Sequence, residues 1–195
     1  EAERKEYAEI IIEESNRLLN LSTNILRLSK IQNQGKIVRK DHINITEQLR
    51  KAIAVLENKW NEKSLTFNIS AKDVYYDGDE ELTFQVWMNL IDNAIKFSKP
   101  NGKITIDVKE EIDEIVVKIK DNGIGIKQGE ITRVFEKGFT GTNGRLSNKK
   151  STGIGLYLCK KLCNKLGIGI ELNSVQNEGT EVKLVFPKDS YIELK

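Results

Sequence analysis

Asn89, Asn93 and Lys96 stand at steps of four and three. That spacing puts all three on one side of any helix that carries them. An amide oxygen can ligate a hard divalent cation, and an ammonium can meet a phosphate as a point charge. The same stripe would also suit a solvated helix face. Further along, Asp121-Asn122-Gly123-Ile124-Gly125-Ile126 joins a carboxylate to small residues. Glycine there permits close backbone approach and positive φ, and the carboxylate can accept a hydrogen bond from a base amino group. As a bare pattern it also describes a Gly-rich turn. Ser151-Thr152-Gly153-Ile154-Gly155-Leu156 opens a helical pattern, and a helix N-terminus offers unpaired N–H groups and positive potential to phosphate. It is not a Walker loop, because no Gly-Lys-Ser/Thr follows at the required spacing. Nor is it a dinucleotide fingerprint, which needs a third glycine and a βαβ unit. Between the two glycine stretches lie Lys127, Arg133, Lys137, Arg145, Lys149 and Lys150, against Glu130 and Glu136. They make either a basic flap for a polyphosphate or a solvated loop.

The elements that must position these groups follow from periodicity. Over residues 1–34, Tyr7, Ile11, Leu18, Leu21, Ile25 and Leu28 form an apolar stripe, and Ile12, Leu19 and Leu26 add a second row. A stripe of that width suits a helix of a four-helix bundle and implies a partner for its apolar face. Gly35 ends this unit, 1–35, and a polar linker leads to a second unit, 41–190. There we expect a strand at 42–45 and a helix capped by Thr46 running to about Trp60. Strands follow at 65–69 and 74–76. Asp77, Asp79 and Glu80 open a helix to Phe97, where acidic residues suit the N-terminal dipole. Residues 103–109 and 114–120 alternate as an antiparallel pair. A long polar loop spans 121–152, with a short helix near 129–135, and loops of that length usually serve function. A helix over 152–166 stops at Gly167, and strands at 168–174 and 181–186 close the unit. The sum is an α+β fold, a two-layer sandwich with one mixed sheet covered by three helices, preceded by one long bundle helix.

Composition narrows the function classes. The 195 residues include 31 basic and 29 acidic side chains, a net charge of +2, which gives no footprint of a dedicated nucleic-acid binder. No apolar run is long enough to cross a bilayer. The chain begins at Glu1 rather than Met, so it reads as a piece of a longer protein whose membrane segments would lie upstream. Cys159 and Cys163 are four apart, with no histidine or further thiol nearby to complete a zinc set. They read as buried, reduced packing residues, in keeping with a cytoplasmic location. Triplets of the Asn-x-Ser/Thr type begin at Asn20, Asn44 and Asn68 without other signs of secretion.

Taken in order along the chain, the motifs resemble the Bergerat ATP-binding fold of histidine kinases, type II topoisomerases, a class of heat-shock chaperones and mismatch-repair ATPases. The stretch Asn89-Leu90-Ile91-Asp92-Asn93-Ala94-Ile95-Lys96-Phe97 is similar to the N box. Residues 121–125 resemble the G1 box, Phe135-Glu136-Lys137-Gly138-Phe139 the F box, Gly153-Ile154-Gly155-Leu156 the G2 box, and Gly179-Thr180 the last box. The resemblance implies ATP and Mg²⁺ as cofactors. It implies that Asp121 receives the adenine amino group, with Thr180 supporting through water, and that Asn93 holds Mg²⁺. Asn89 and Lys96 would contact phosphate or metal as the catalytic pair, and Phe97 would lie by the sugar or base. Gly153, Gly155 and Leu156 would present amides to phosphate. Gly123, Gly125, Ile126, Phe139 and Thr152 complete the implied cofactor-binding set. The lid over 127–152 would order on ATP, with Arg145 and Lys149 as γ-phosphate contacts.

Within that fold the resemblance points to a sensor histidine kinase. Hydrolysing members carry a Glu where this chain has Asn89, and an amide cannot take a proton from water. The leading helix resembles the second helix of the kinase dimerisation hairpin, which implies a homodimer in the parent and an aspartate on a response regulator as the onward acceptor. The only histidine, His42, does not match the acceptor's surroundings and reads as a linker residue. Residues 138–145 and 151–158 further resemble intramembrane-sensing kinases of the peptide-antibiotic response. The alternatives are a Bergerat-type ATPase clamp, a serine kinase acting on anti-sigma partners, and a docking module without activity.

Overall fold

In the computed structural model the described residues are 41–70, 72–142 and 152–188, with twelve positions between 4 and 26. The chain divides into two compact units, Glu1–Gly35 and Lys36–Lys195. The described positions of the first unit are helical. Among them Tyr7, Ile11, Ile12, Leu18, Leu19 and Leu26 are exposed. Leu21, Ile25, Leu28 and Gly35 lie outside the described residues, as do Arg145, Lys149 and Ser151.

The second unit begins with strand β1 (Asp41–Asn44), helix α1 (Ile45–Val55) and the short helix α2 (Glu57–Asn61). Its first cap differs from the expectation. Asn44, not Thr46, caps α1, its side-chain oxygen accepting from the Glu47 N–H at 3.0 Å. Thr46 is instead the buried second residue of the helix, and its hydroxyl donates to the Lys72 carbonyl. Both residues satisfy the local preference; a carbonyl 26 residues away decides between them. Ile45 therefore starts a helix rather than ending a strand, and the helix breaks at Leu56 instead of running on to Trp60.

Strands β2 (Thr66–Ser70) and β3 (Tyr75–Gly78) precede helix α3 (Glu80–Phe97). Asp79 caps α3 by accepting from the Leu82 N–H at 2.9 Å. Asp77, expected in the helix start, lies in β3 and faces His42 on β1 at 2.8 Å. His42 is thus an exposed strand residue, stacked on Tyr75, rather than part of a linker. Strands β4 (Lys103–Glu110) and β5 (Glu114–Asp121) form the expected antiparallel pair. A 3-10 turn at Gln128–Arg133, helix α4 (Gly155–Leu166) and strands β6 (Gly169–Val175) and β7 (Gly179–Pro187) complete the unit. Gly167 ends α4 in the left-handed region at φ 72.

The main sheet runs β2-β4-β5-β7-β6, with β2 and β4 parallel and the other neighbours antiparallel. β1 and β3 form a separate two-stranded ribbon. Alternation then sorts the side chains. Ile104, Ile106, Ile115, Val117, Leu184 and Phe186 form a row that is almost wholly buried. The apolar rows of the helices meet it: Ile45, Leu49 and Ala52 of α1; Val86, Trp87 and Ile91 of α3; Leu158 and Leu162 of α4. Each such side chain stabilises the fold by about 1.5–3 kcal/mol against leaving it in water. The alternate row carries Lys118, Lys120, Glu171 and Lys183 and keeps contact with water. Gln48 is one of the few buried polar side chains. Its amide donates to the Glu80 carbonyl and accepts from the Trp87 indole, tying α1 to α3 with no polar atom wasted. The mixed sheet with its helices on one face is the α+β sandwich read from the sequence.

Candidate nucleotide site

Because α3 buries Val86, Trp87, Leu90, Ile91 and Ala94 toward the sheet, its opposite side must carry Asn89, Asn93 and Lys96. All three are half-buried rather than fully solvated. α4 packs beside α3, with Gly155 of its first turn facing the two asparagines. A Cβ there would lie 3.6 Å from Asn93 Nδ2 and 3.8 Å from Asn89 Oδ1. The N-terminus of α4, with first-turn amides that lack intrahelical acceptors, thus opens against both amide side chains. Asn89 is oriented by its own helix, its Nδ2 donating to the Gln85 carbonyl at 2.9 Å, which turns the side-chain oxygen toward Gly155.

The floor is Asp121, the last residue of β5. It is buried at 6% exposure. The β5–β7 register places it opposite Thr180. Its Oδ1 accepts from the Gly123 N–H at 2.8 Å and the Thr180 N–H at 3.3 Å. Burial pushes the carboxyl upward from the ordinary Asp range, and these donors pull it partly back. Three glycines let backbone segments approach one another closely around Asp121. A Cβ on Gly123 would fall 2.2 Å from the Phe97 carbonyl, one on Gly125 2.0 Å from the Val175 carbonyl, and one on Gly179 2.0 Å from the Asp121 carbonyl. Phe97 belongs to the same wall, since its carbonyl accepts from the Ile124 N–H.

Ser174 was not among the residues read from the sequence. Its hydroxyl donates to the Gly179 carbonyl at 2.8 Å, accepts from the Ile126 N–H at 2.9 Å and lies 2.9 Å from the Thr180 hydroxyl. With its one proton given to Gly179, the proton of the Thr180 contact must come from Thr180. Ser174 so knits the glycine loop to the β6–β7 turn beside Asp121. Its signal in the sequence is slight: a hydroxyl in the phase of β6 that otherwise carries Ile170 and Leu172. Ser174→Ala would leave the Ile126 N–H and the Gly179 carbonyl without this partner, and the expected cost is about 1–3 kcal/mol of stability, read by urea denaturation.

Gly138 N–H donates to the Gly153 carbonyl at 3.0 Å, joining the F box to the start of α4. Glu130 receives the Thr142 N–H on both oxygens and the Thr142 hydroxyl on one. Phe139 lies under the Arg133 guanidinium at 4.6 Å, and Thr152 accepts weakly from the Ile154 N–H. Leu156 sits in the first turn of α4. An open concavity beside Arg133, Lys137 and Phe139 includes neither Asp121 nor Asn93. Cys159 and Cys163 are buried in α4, and burial pushes both thiols up, that of Cys163 to about 12. Neither is poised as a nucleophile.

Residues 78–190 match the family model described as histidine kinase-, DNA gyrase B- and HSP90-like ATPase. Over 189 residues the chain is 33% identical to sensor protein SrrB of Staphylococcus aureus, covering 95% of this chain and 32% of that protein. The chain thus spans about a third of the length of the curated relatives it matches. The catalytic domain of histidine kinase ThkA is 25% identical, with 77% of this chain and 99% of that one covered and a TM-score of 0.66. In complex with response regulator protein TrrA, ThkA covers 90% of this chain and 49% of its own at 22% identity and a TM-score of 0.72. Full-length ShkA in complex with AMPPNP shares the fold at 19% identity and a TM-score of 0.76, over 97% of this chain and 40% of that one.

Proposed function

The chain belongs to the histidine kinase-, DNA gyrase B- and HSP90-like ATPase family, and from that premise we propose that it is the ATP-binding catalytic part of a two-component sensor histidine kinase. The observation that carries this reading is the convergence of Asn89 and Asn93 on the N-terminus of α4 at Gly155, together with the buried carboxylate of Asp121. A nucleoside triphosphate would then be held by its base at Asp121 and by its phosphates at the N-terminus of α4.

In this reading Asp121 accepts from the adenine amino group, with Thr180 beside it, and Phe97 borders the base or sugar. Gly153, Gly155 and Leu156 offer amides to the phosphates, and Lys96 adds positive charge. The donor set fits Mg²⁺: a hard amide oxygen at Asn93, with phosphate oxygens to complete the shell. Among the described residues no group of three or more His, Cys, Asp or Glu forms a cation cage, which agrees with a metal brought by the nucleotide. When bound, the ion neutralises charge on the phosphates. Asn89 cannot accept a proton from water, so the site holds ATP for another nucleophile. That nucleophile is a histidine nitrogen on a hairpin helix: the γ-phosphorus–oxygen bond breaks, a phosphorus–nitrogen bond forms, and ADP leaves. The phosphoryl group then passes to a response-regulator aspartate.

The exposed stripe of Tyr7, Ile11, Leu18 and Leu26 supports a role for the first unit as the second helix of a dimerisation hairpin, paired with a second copy. None of the described helices is long and apolar enough to cross a membrane; the place we assign is the cytoplasmic side of a membrane-bound parent. The sequence at 138–145 and 151–158 supports the narrower peptide-antibiotic-response subgroup.

The test mixes this chain with a separate hairpin domain carrying the acceptor histidine and supplies Mg²⁺ and ATP labelled at the γ-phosphate. Acid-labile label on the hairpin histidine is expected. Steady phosphate release by the chain alone, lost on Asp121→Ala, would instead establish the ATPase clamp, and label on serine would establish the serine kinase.

A further inference from the structure

The last carbonyls of an α-helix have no intrahelical partner and carry the negative end of its dipole. In α3 those carbonyls belong to the same turn that ends in Lys96 and Phe97. Lys63, in the turn between α2 and β2, takes up three of the group. Its ammonium donates to the Ile95 carbonyl at 2.8 Å, the Lys96 carbonyl at 2.6 Å and the Ser98 carbonyl at 2.8 Å. An ammonium has three N–H donors, so this set uses each of them. The Phe97 carbonyl, between them in sequence, accepts instead from Ile124 in the glycine loop at 3.1 Å. The four successive carbonyls 95–98 are thereby divided, three to Lys63 and one to the loop that follows Asp121.

Lys63 is itself held. Its own carbonyl accepts from the Asn101 N–H at 2.8 Å, and the next residue, Ser64, adopts φ 52 to turn the chain into β2. The side chain therefore acts from a fixed base. On the far side the fit is tight, with the Phe97 carbonyl only 2.2 Å from where a Cβ on Gly123 would stand. A small shift of the last turn of α3 must then move Ile124 and Gly123, and with them the Gly123 N–H that Asp121 accepts.

Resting on the ATP-binding reading above, we propose that Lys63 is a positioning residue for the nucleotide site, clamping the end of α3 so that the 121–126 loop stands at the right distance from Asn93 and Lys96. An alternative is that it merely caps a helix. Asp79 caps the same helix at its other end, so Asp79→Ala is the matched control for lost helix stability.

Three variants, Lys63→Met, Lys63→Gln and Lys63→Arg, are compared with Asp79→Ala at a temperature where circular dichroism shows each folded. Two readouts are taken: Mg·ATP affinity by calorimetry, and hydrogen exchange of the Ile124 amide in protein without nucleotide. Misplacement on the ångström scale costs large factors in such sites. Lys63→Met and Lys63→Gln are expected to weaken Mg·ATP by about tenfold or more and to speed Ile124 exchange, with Lys63→Arg restoring most of both. Asp79→Ala is expected to change affinity by no more than about twofold. Affinity that merely tracks lost melting temperature across all variants, Asp79→Ala included, would overturn the proposal. Unchanged Ile124 exchange in Lys63→Met would overturn it as well, with ATP binding by the parent left standing. A parent that binds no Mg·ATP would overturn the ATP reading and with it this role for Lys63, whatever the exchange data show.

Discussion

Asp121→Asn is expected to weaken Mg·ATP binding by about 1.5–3 kcal/mol, roughly 10- to 150-fold, while leaving the fold as stable as the parent or more so. The asymmetry follows from what the substitution keeps. The carboxylate oxygen that accepts from the Gly123 and Thr180 N–H groups has a counterpart in the amide oxygen. The other oxygen becomes an NH₂ donor and would face the donor amino group of adenine. Stability moves the opposite way. Burial raises the Asp121 carboxyl above its unfolded value. Such a group adds stability that is complete below the unfolded pKa and is lost as pH rises through the folded one. Above the folded pKa that contribution is gone and a charge is held out of water, a cost the neutral amide escapes. For the same reason the parent's affinity should fall as pH drops through the raised Asp121 value. Calorimetry and urea denaturation of both proteins check the two halves. Equal affinities would remove Asp121 from the site.

Gly179→Ala should be the most damaging single methyl group in the second unit, at about 3 kcal/mol or more. Two terms add. Gly179 has φ 126, in a region reserved for glycine, and holding another residue there costs of order 1–3 kcal/mol. The new Cβ would also lie 2.0 Å from the Asp121 carbonyl and 2.9 Å from Asn122 Cα. Those are backbone atoms at the end of β5, where Asp121 still pairs with Thr180, and overpacking of this kind costs a further ~1–3 kcal/mol. Gly167→Ala is the comparison that separates the terms. Gly167 also has positive φ, but nothing stands within 4 Å of its missing Cβ. Its cost should be only the left-handed penalty, about 1–2 kcal/mol. Gly179→Ala should also loosen the Thr180 N–H from Asp121 and so reduce nucleotide affinity, whereas Gly167→Ala should leave affinity alone. Urea midpoints of the two variants give the answer, and similar costs would show that the β6–β7 turn yields more easily than its geometry implies.

Much of this molecule was legible before any fold was in hand. Alternation in 103–109 and 114–120, broken only at Val116, wrote the central strands, because a sheet with one wet face favours period two. Buried residues on α3 at helical spacing left Asn89, Asn93 and Lys96 no side but the other one. Glycines at 123 and 125 marked backbone approaches that only an absent side chain allows. What stayed hidden were choices made by partners far along the chain. Asn44 and Thr46 are both good caps, and only the Lys72 carbonyl, supplied by a neighbouring segment, sends Thr46 inward. Ser174 is an ordinary hydroxyl until the β5–β7 register sets Thr180 beside Asp121 across 59 residues. Lys63 is one lysine among many until the end of α3, more than 30 residues on, offers it three carbonyls. Sequence alone determined which residues could pair with a nucleotide and which faces had to be buried, since periodicity and side-chain chemistry are local properties. Tertiary structure decided which donor meets which acceptor, because a hydrogen bond needs its partners within about 3 Å and only the packed sheet and helices bring distant residues that close.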